Sequence, residues 1–310
     1  MKKQKHQLSL TRLIPFLGLG LLILIAVITG GERFIATRNL RNIMIQASIL
    51  MILAIGSSFV MAHGDMDFAN GGTMGVSMLV ALALCKGAPS WIIFPVCVLA
   101  GTLIGALVGI LATRLRVVAF IVGMCIMRLS SALLYSVTLK TTWLAPIEII
   151  TLSTPTFFLC ISFGTLLLGG IIFELTKIGQ YNKLIGVNKE AARLSGIDVG
   201  KYLVLSFMAS GLCSGIGAFA TIVRIGGMSS STGNYEVDVL IALTIGGMPL
   251  TGGSRASICA AFIGAYALTV LNNILILQGV NVDFVNVVKG LVFLALVLIS
   301  SRSAKGTINI

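Results

Sequence analysis

The feature that most restricts this chain is a succession of apolar runs, most of them long enough to cross a membrane, separated by short polar punctuation. A hydrocarbon layer of about 30 Å takes roughly 20 helical residues to cross. Runs near 13–30, 43–62, 72–85, 92–113 and 117–139 fill the first half, and runs near 157–175, 202–223, 237–249, 257–277 and 285–300 repeat the count in the second. The expected fold is therefore all-α: a polytopic membrane protein of about ten transmembrane helices, forming one domain over residues 1–310. Composition argues the same way. With 57% hydrophobic residues, 10% charged residues and a mean hydropathy of +1.04, the chain has more apolar surface than a soluble core of its size hides, so the lipid bilayer is its first partner.

The net charge of +12 does not point to nucleic acid, because the basic residues sit in short clusters between apolar runs without aromatic interleaving. They read as topology signals. Lys2, Lys3, Lys5 and Arg12 precede the run Leu13 to Gly30 in the manner of a signal peptide, but the run is long and no small-x-small cleavage site follows. The expectation is a retained first helix, with residues 1–12 cytoplasmic. Ten spans then place Arg114 and Arg116, the loop 176–201, Arg255 and the tail 301–310 in the cytoplasm, in accord with the positive-inside rule. Arg33, Arg38 and Arg41 fall outside and are expected to cap a short interfacial segment before the second span.

Several chemistries are excluded. Cysteines 85, 97, 125, 160, 213 and 259 lie in apolar runs with no C-x-x-C pair, and His6 and His63 have no second ligand nearby in sequence, so neither a disulfide framework nor a metal centre is expected. No G-x-x-x-x-G-K-[ST] loop is present, so nucleotide hydrolysis belongs elsewhere. Gly211-Leu212-Cys213-Ser214-Gly215 looks like a nucleophile elbow only superficially, since it lies in an apolar helix with no histidine partner. Gly211 and Gly215, like Gly101, Gly105 and Gly109, read better as small-residue stripes that let helices approach.

Two runs, 72–85 and 237–249, are too short to span alone. Each follows glycine-rich sequence with an acidic pair, Asp65/Asp67 and Glu236/Asp238, and the topology gives them opposite orientations. Short segments in matching positions of two halves point to broken helices beside a solute pathway. Asp65, Asp67 and Asn70, with Phe68 between them, either line a polar constriction or cap a half-helix with carboxylates on free backbone N–H groups, capping being favoured. Asn272 and Asn273 suit either solute contact or, preferably, hydrogen bonds between helices. Arg128, in the middle of the fifth run, needs an acidic or carbonyl partner, whereas Lys289 is expected to snorkel outward.

The longest polar stretch, Thr176 to Lys201, has the makings of a short amphipathic helix. Asn188 suits an N-cap, Glu190 the first turn where the dipole favours an anion, Ala191 and Ala192 the helix itself, and Gly196 a left-handed C-cap, with Arg193 between. A solvated connecting loop is the alternative.

Glu-Ala-Ala-x-x-x-Gly at 190–196 resembles the coupling-loop signature of permease subunits of ATP-binding-cassette importers. From Thr176 onward, Thr-x-x-Gly and then Gly-x-Asn-x-x-Ala-Ala-Arg-Leu-Ser-Gly-Ile (186–197) are similar to the ribose/xylose/galactose-type sugar permeases, a group allied to branched-chain amino-acid permeases. Gly233, Tyr235-Glu236, Asp238, Ile241-Ala242, Gly246-Gly247, Leu250-Thr251-Gly252-Gly253, Asn272-Asn273, Gly279-Val280 and Lys289-Gly290 fall at that family's spacing, and the likeness covers about residues 37 to 300. The segment 64–71 keeps the second acidic residue and the flanking glycines of the family's Gly-Gly-Ile-Asp-Leu-Ser-Val-Gly. Asp65, Ala69 and Asn70 depart from it, as do Ala119 and Ala256 elsewhere.

The resemblance implies a monosaccharide or related small polar solute, with a nucleoside, signalling furanoid or amino acid as alternatives that the departures keep open. It implies a homodimer or a paralogous pair of permease chains, a cytoplasmic nucleotide-binding ATPase that docks on Asn188, Glu190, Ala191, Ala192, Arg193 and Gly196, and an extracytoplasmic solute-binding protein. ATP and Mg would be bound by the ATPase, and no cofactor by this chain. The loops 140–156, 225–235 and 278–284, with Lys140, Trp143, Glu148, Arg224, Tyr235 and Asp283, are where the binding protein would dock. The implied location is the inner membrane of a bacterium. The rival from another class is an ion-coupled carrier using Asp65, Asp67 or Asp238.

Overall fold

The computed structural model describes residues 2–87, 89–115, 117–139, 141–229 and 235–305. Arg116, Lys140, Gly233 and the end of the tail, 306–310, lie outside them. The elements, in order, are α1 (Lys2–Ile35), α2 (Thr37–Ala62), α3 (Asn70–Leu84), a 3-10 turn (Ser90–Ile92), α4 (Ile93–Arg114), α5 (Ala119–Thr138), β1 (Trp143–Leu144), α6 (Ile147–Ile150), α7 (Pro155–Leu175), α8 (Lys177–Val187), α9 (Lys189–Leu194), α10 (Val199–Ile225), β2 (Gly227–Met228), α11 (Glu236–Ile245), α12 (Cys259–Leu277) and α13 (Val282–Lys305).

A helix thus occupies each apolar run read from the sequence, and among the described residues seven helices are long and apolar enough to cross a membrane. The chain is an all-α polytopic membrane protein, with one addition. Two-residue strands β1 and β2 pair antiparallel, Trp143 opposite Met228, and tie the loop after α5 to the end of α10.

Burial sorts the helices. The apolar window of α2 is 89% buried and that of α10 67%, whereas those of α1, α5 and α7 are 6%, 22% and 22% buried. A helix apolar on all sides belongs in the interior, and α2 is such a helix, buried from Ala47 to Ala62 without interruption. Lipid is as apolar as leucine, so burial of oily surface does not hold such helices together, and close packing must. The α4–α10 contact achieves it with glycine. A Cβ on Gly101 would lie 2.3 Å from the Gly211 carbonyl oxygen, and one on Gly211 would lie 2.2 Å from that of Gly101. Gly105 and Gly215 make matching approaches to Phe207 and Cys97. The packing reading of both stripes holds.

The arginine cluster needs correction. Arg38 and Arg41 belong to α2, which starts six residues earlier than the sequence suggested, so no separate interfacial segment precedes it. Arg41 donates from its guanidinium to the Ser153 carbonyl at 2.8 Å, which satisfies one of the cations at the end of α2 opposite α9.

Candidate functional site

The polar stretch folds as two helices rather than one. Thr176 caps α8, accepting from the Ile178 N–H at 3.3 Å, and Asn188 separates the helices while its Oδ1 accepts from the Ala191 N–H at 3.0 Å. After Leu194 the Ile197 N–H bonds the Ala192 carbonyl and the Gly196 N–H bonds that of Arg193, with Gly196 at φ 81°. This is the paired-bond left-handed cap that needs glycine. α9 therefore has both ends fixed by local chemistry.

One face of this unit is anchored and the other free. Ala192 is buried with Ile185 and Leu203. Glu190 and Arg193 form an i,i+3 pair at 3.3 Å with both side chains about 70% exposed, which adds little to stability. Leu184, Val187 and Leu194 are exposed, Leu194 to 84%. Apolar side chains on a polar excursion from the membrane are the mark of a protein contact. Sequence reasoning singled out Asn188, Glu190, Ala191, Ala192, Arg193 and Gly196, of which Ala192 faces inward, and it passed over these three apolar side chains, although their position inside a charged segment was the available signal.

The unit is joined rigidly to the transmembrane core. At Gly186 a Cβ would fall 2.2 Å from the Ala62 carbonyl oxygen and 2.5 Å from the Gly253 nitrogen. The same Ala62 carbonyl accepts from the Gly253 N–H at 2.9 Å, and a Cβ on Gly252 would lie 2.4 Å from it. Three backbones, the end of α2, the end of α8 and the turn before α12, thus meet without intervening side chains. Beside them His63 Nδ1 lies 3.3 Å from Asp65 Oδ2. Burial would raise the Asp65 carboxyl, but its neighbours His63 and Lys189 hold it below its ordinary value.

Asp65 therefore parts from the other acidic candidates. Asp67, 4% exposed, accepts from the Ala69 N–H at 2.8 Å and, through its other oxygen, from the Ser210 hydroxyl of α10. Asn70 opens α3 and donates to the Ser57 hydroxyl of α2 at 2.9 Å, leaving its Oδ1 buried without a partner among the described residues. Phe68 is directed away, edge-on to Phe120 at 4.8 Å. The Glu236 carboxylate, at the first residue of α11, faces the Gly72 backbone N–H, so the first turns of the two short helices meet. Asp67 is both a backbone cap and a link to α10, and the serines that receive it and Asn70 had no sequence signal of their own.

The remaining candidates lie apart. Asn273 and Asn39 exchange amide hydrogen bonds at 2.7 and 3.0 Å, joining α12 to α2 at the end far from α9, while Asn272 Oδ1 is buried without a partner among the described residues. Lys289 does not snorkel. Its Nζ reaches both oxygens of Asp238, because α13 passes the first turn of α11. No group of three or more His, Cys, Asp or Glu side chains able to hold a metal occurs among the described residues. The arrangement offers docking, stiff transmission and buried polar contacts between helices.

Comparison with known proteins places the chain in a family. A family described as the branched-chain amino acid transport system / permease component matches residues 39–297. The chain is 30% identical over 297 residues to the ribose import permease protein of Haemophilus influenzae, covering 90% of each chain. It is 30% identical over 301 residues to that of Escherichia coli K12, covering 92% of each. It is 25% identical over 276 residues to the galactofuranose transporter permease protein of E. coli K12, covering 84% of this chain and 79% of the other. No solved structure matches.

Proposed function

Because the chain belongs to the branched-chain amino acid transport system / permease component family, we propose that it forms the membrane pathway of an ATP-binding-cassette importer for a monosaccharide or related small polar solute. The observation that carries the proposal is α9: a doubly capped helix whose outer face is exposed and whose base is welded, through Gly186, to the end of α2 and the turn before α12. A helix built in this way transmits a push from a docked protein without absorbing it.

In this reading α9 faces the cytoplasm and seats in a nucleotide-binding ATPase, with Leu194, Leu184 and Val187 as apolar anchors and Glu190 and Arg193 at the rim. Both termini are cytoplasmic, and about ten spans cross the inner membrane of a bacterium. ATP and Mg are bound by the ATPase, and closure of its domains shifts α9 together with the ends of α2 and α12. A second permease chain completes the pathway, and an extracytoplasmic binding protein delivers solute at the face bearing β1, β2 and α6. The ribose and galactofuranose named for the relatives favour a sugar over a nucleoside, furanoid signal or amino acid. A carrier driven by an ion gradient has no use for an exposed docking helix.

Gentle extraction of the tagged chain from its native membranes tests this. An ATPase should co-purify with the native chain and be lost from Gly196→Trp, which places an indole at the left-handed cap. If the native chain brings down no nucleotide-binding protein under conditions that preserve other membrane complexes, the importer reading fails.

A further inference from the structure

A cavity of about 700 Å³ lies between the 3-10 turn, the start of α4, α6, the start of α7 and the last third of α10. Its floor is Phe219, 8% exposed, held edge-on by Phe94 at 5.1 Å and by Phe157 at 6.1 Å. Trp91, which also lines it, is 73% exposed and so stands at its mouth. Aromatic walls of this extent offer water few partners, and an apolar cavity is filled by apolar matter or stays dry.

The cavity opens toward the hydrocarbon. The apolar windows of α4 and α7, which flank it, are only 33% and 22% buried. On α7, Cys160 lines the cavity, and Phe163 and Leu167 follow at i+3 and i+7, within about 60° of it around the helix. Phe163 is 44% exposed and Leu167 66%, so the wall runs without a break into the lipid-facing side of the span.

Charge at the mouth selects the occupant. Glu148 of α6 lines the cavity, is exposed, and accepts a hydrogen bond from the Ser90 hydroxyl. Among the described residues no cation pairs with it. A carboxylate has about four lone-pair sites, so one bond from Ser90 leaves most of them open. Next to Leu152, another lining residue, the Ser153 carbonyl holds the exposed Arg41 guanidinium at 2.8 Å, which leaves the other guanidinium donors unspent. An acid and a base thus flank an apolar cavity at the level where a tryptophan marks the membrane boundary.

We propose that this cavity is a lipid site that seats an acyl chain of a phospholipid with a primary ammonium headgroup, the ammonium hydrogen-bonded to Glu148 and the phosphate within the field of Arg41. The site goes beyond the importer reading and rests on the chain's place in the membrane, not on its solute or energy source. Phosphatidylethanolamine has the required N–H donors. Phosphatidylcholine has the positive charge without them, and phosphatidylglycerol brings net negative charge against Glu148.

Tryptophan fluorescence tests the assignment, because the chain has two tryptophans and Trp143→Phe leaves Trp91 alone. The full-length variant is placed in unbrominated phosphatidylcholine bilayers carrying a small fraction of acyl-brominated phosphatidylethanolamine, phosphatidylglycerol or phosphatidylcholine. Half-maximal quenching should need about three- to fivefold less of the ethanolamine lipid than of the other two, and Glu148→Gln should remove the difference. Cys160→Phe, which fills the cavity, should weaken quenching by the ethanolamine lipid. Mass spectrometry of the lipid retained by the unaltered chain after detergent washing is a second reading that needs no change at Trp143, and phosphatidylethanolamine should be enriched over its share of the membrane. Equal quenching by the three lipids, with no enrichment, reduces the site to unselective boundary lipid and overturns the proposal. Full quenching in Cys160→Phe puts the lipid outside the cavity and overturns it as well. Quenching by none of them, with no retained lipid, overturns it in favour of a protein partner at this cavity.

Discussion

Lys289 Nζ lies 2.9 Å from Oδ1 and 3.0 Å from Oδ2 of Asp238, joining α13 to the first turn of α11. The side chains are 12% and 23% exposed, so neither charge is well hydrated. Removing one partner strands the other, and Lys289→Met should lower stability by about 3–5 kcal/mol. Adding Asp238→Leu should recover most of that loss, because an apolar pair of similar volume serves an interior as well as an ion pair does. Thermal unfolding of the detergent-extracted chain and its variants measures both. Additive losses would show that the two charges are not coupled.

Gly186 leaves no room for a side chain, with backbone atoms of Ala62 and Gly253 on two sides. Gly186→Val should destabilise the junction by more than the ~1–3 kcal/mol of ordinary overpacking, since backbone rather than a flexible side chain must move. Gly200→Val, where a Cβ would find only Asp198 Oδ1 at 3.6 Å, is the matched control. The checking measurement is limited proteolysis within α8 and α9, expected to accelerate only for Gly186→Val.

Asp65 supplies a pH test. Its folded value lies below the ordinary one, so the stability it contributes is fully present above the unfolded carboxylate value, about 3.9, and is lost as pH falls through the lower folded value. Asp65→Asn should therefore reduce the melting temperature at about pH 5, and the two proteins should converge as the pH falls from there through the folded carboxyl value. A difference that grew toward low pH would contradict the assignment.

Asn188 caps α9 through one side-chain oxygen. Asn188→Ala should cost about 1 kcal/mol locally, and Asn188→Ser should restore most of it. In a helix this short, that is enough to fray it. Hydrogen exchange of the Lys189–Leu194 amides reads the effect, with alanine raising exchange and serine returning it.

Much of the fold was legible because membrane helices announce themselves by run length, and because glycine at every fourth position has one common use. The α9 caps were legible for a related reason: Asn188, Glu190 and Gly196 act on neighbours within one or two turns. What could not be read were partnerships set by packing. Asp238 and Lys289 are 51 residues apart and Asp67 and Ser210 are 143 apart. A serine among many serines in apolar helices carries no mark of the carboxylate it will meet. Lys289 misled because snorkelling is the default for a lysine near a helix end, and only the passage of α11 supplies a better answer.

Asp67 is where the structural and solute-facing roles of the acidic segment separate most sharply. One oxygen holds the Ala69 N–H at the start of α3 and the other accepts from Ser210, so the carboxylate binds the broken segment to α10. Ser210→Ala would leave that second oxygen buried without a donor, at about 1–3 kcal/mol. In the Ser210→Ala background, Asp67→Asn should then cost less than it does alone, since the partner it would have stranded is gone. A double-mutant cycle on thermal unfolding should accordingly give a coupling of about 0.5–3 kcal/mol. Independent effects would release Asp67 from its link to α10 and return it to the candidates for direct solute contact.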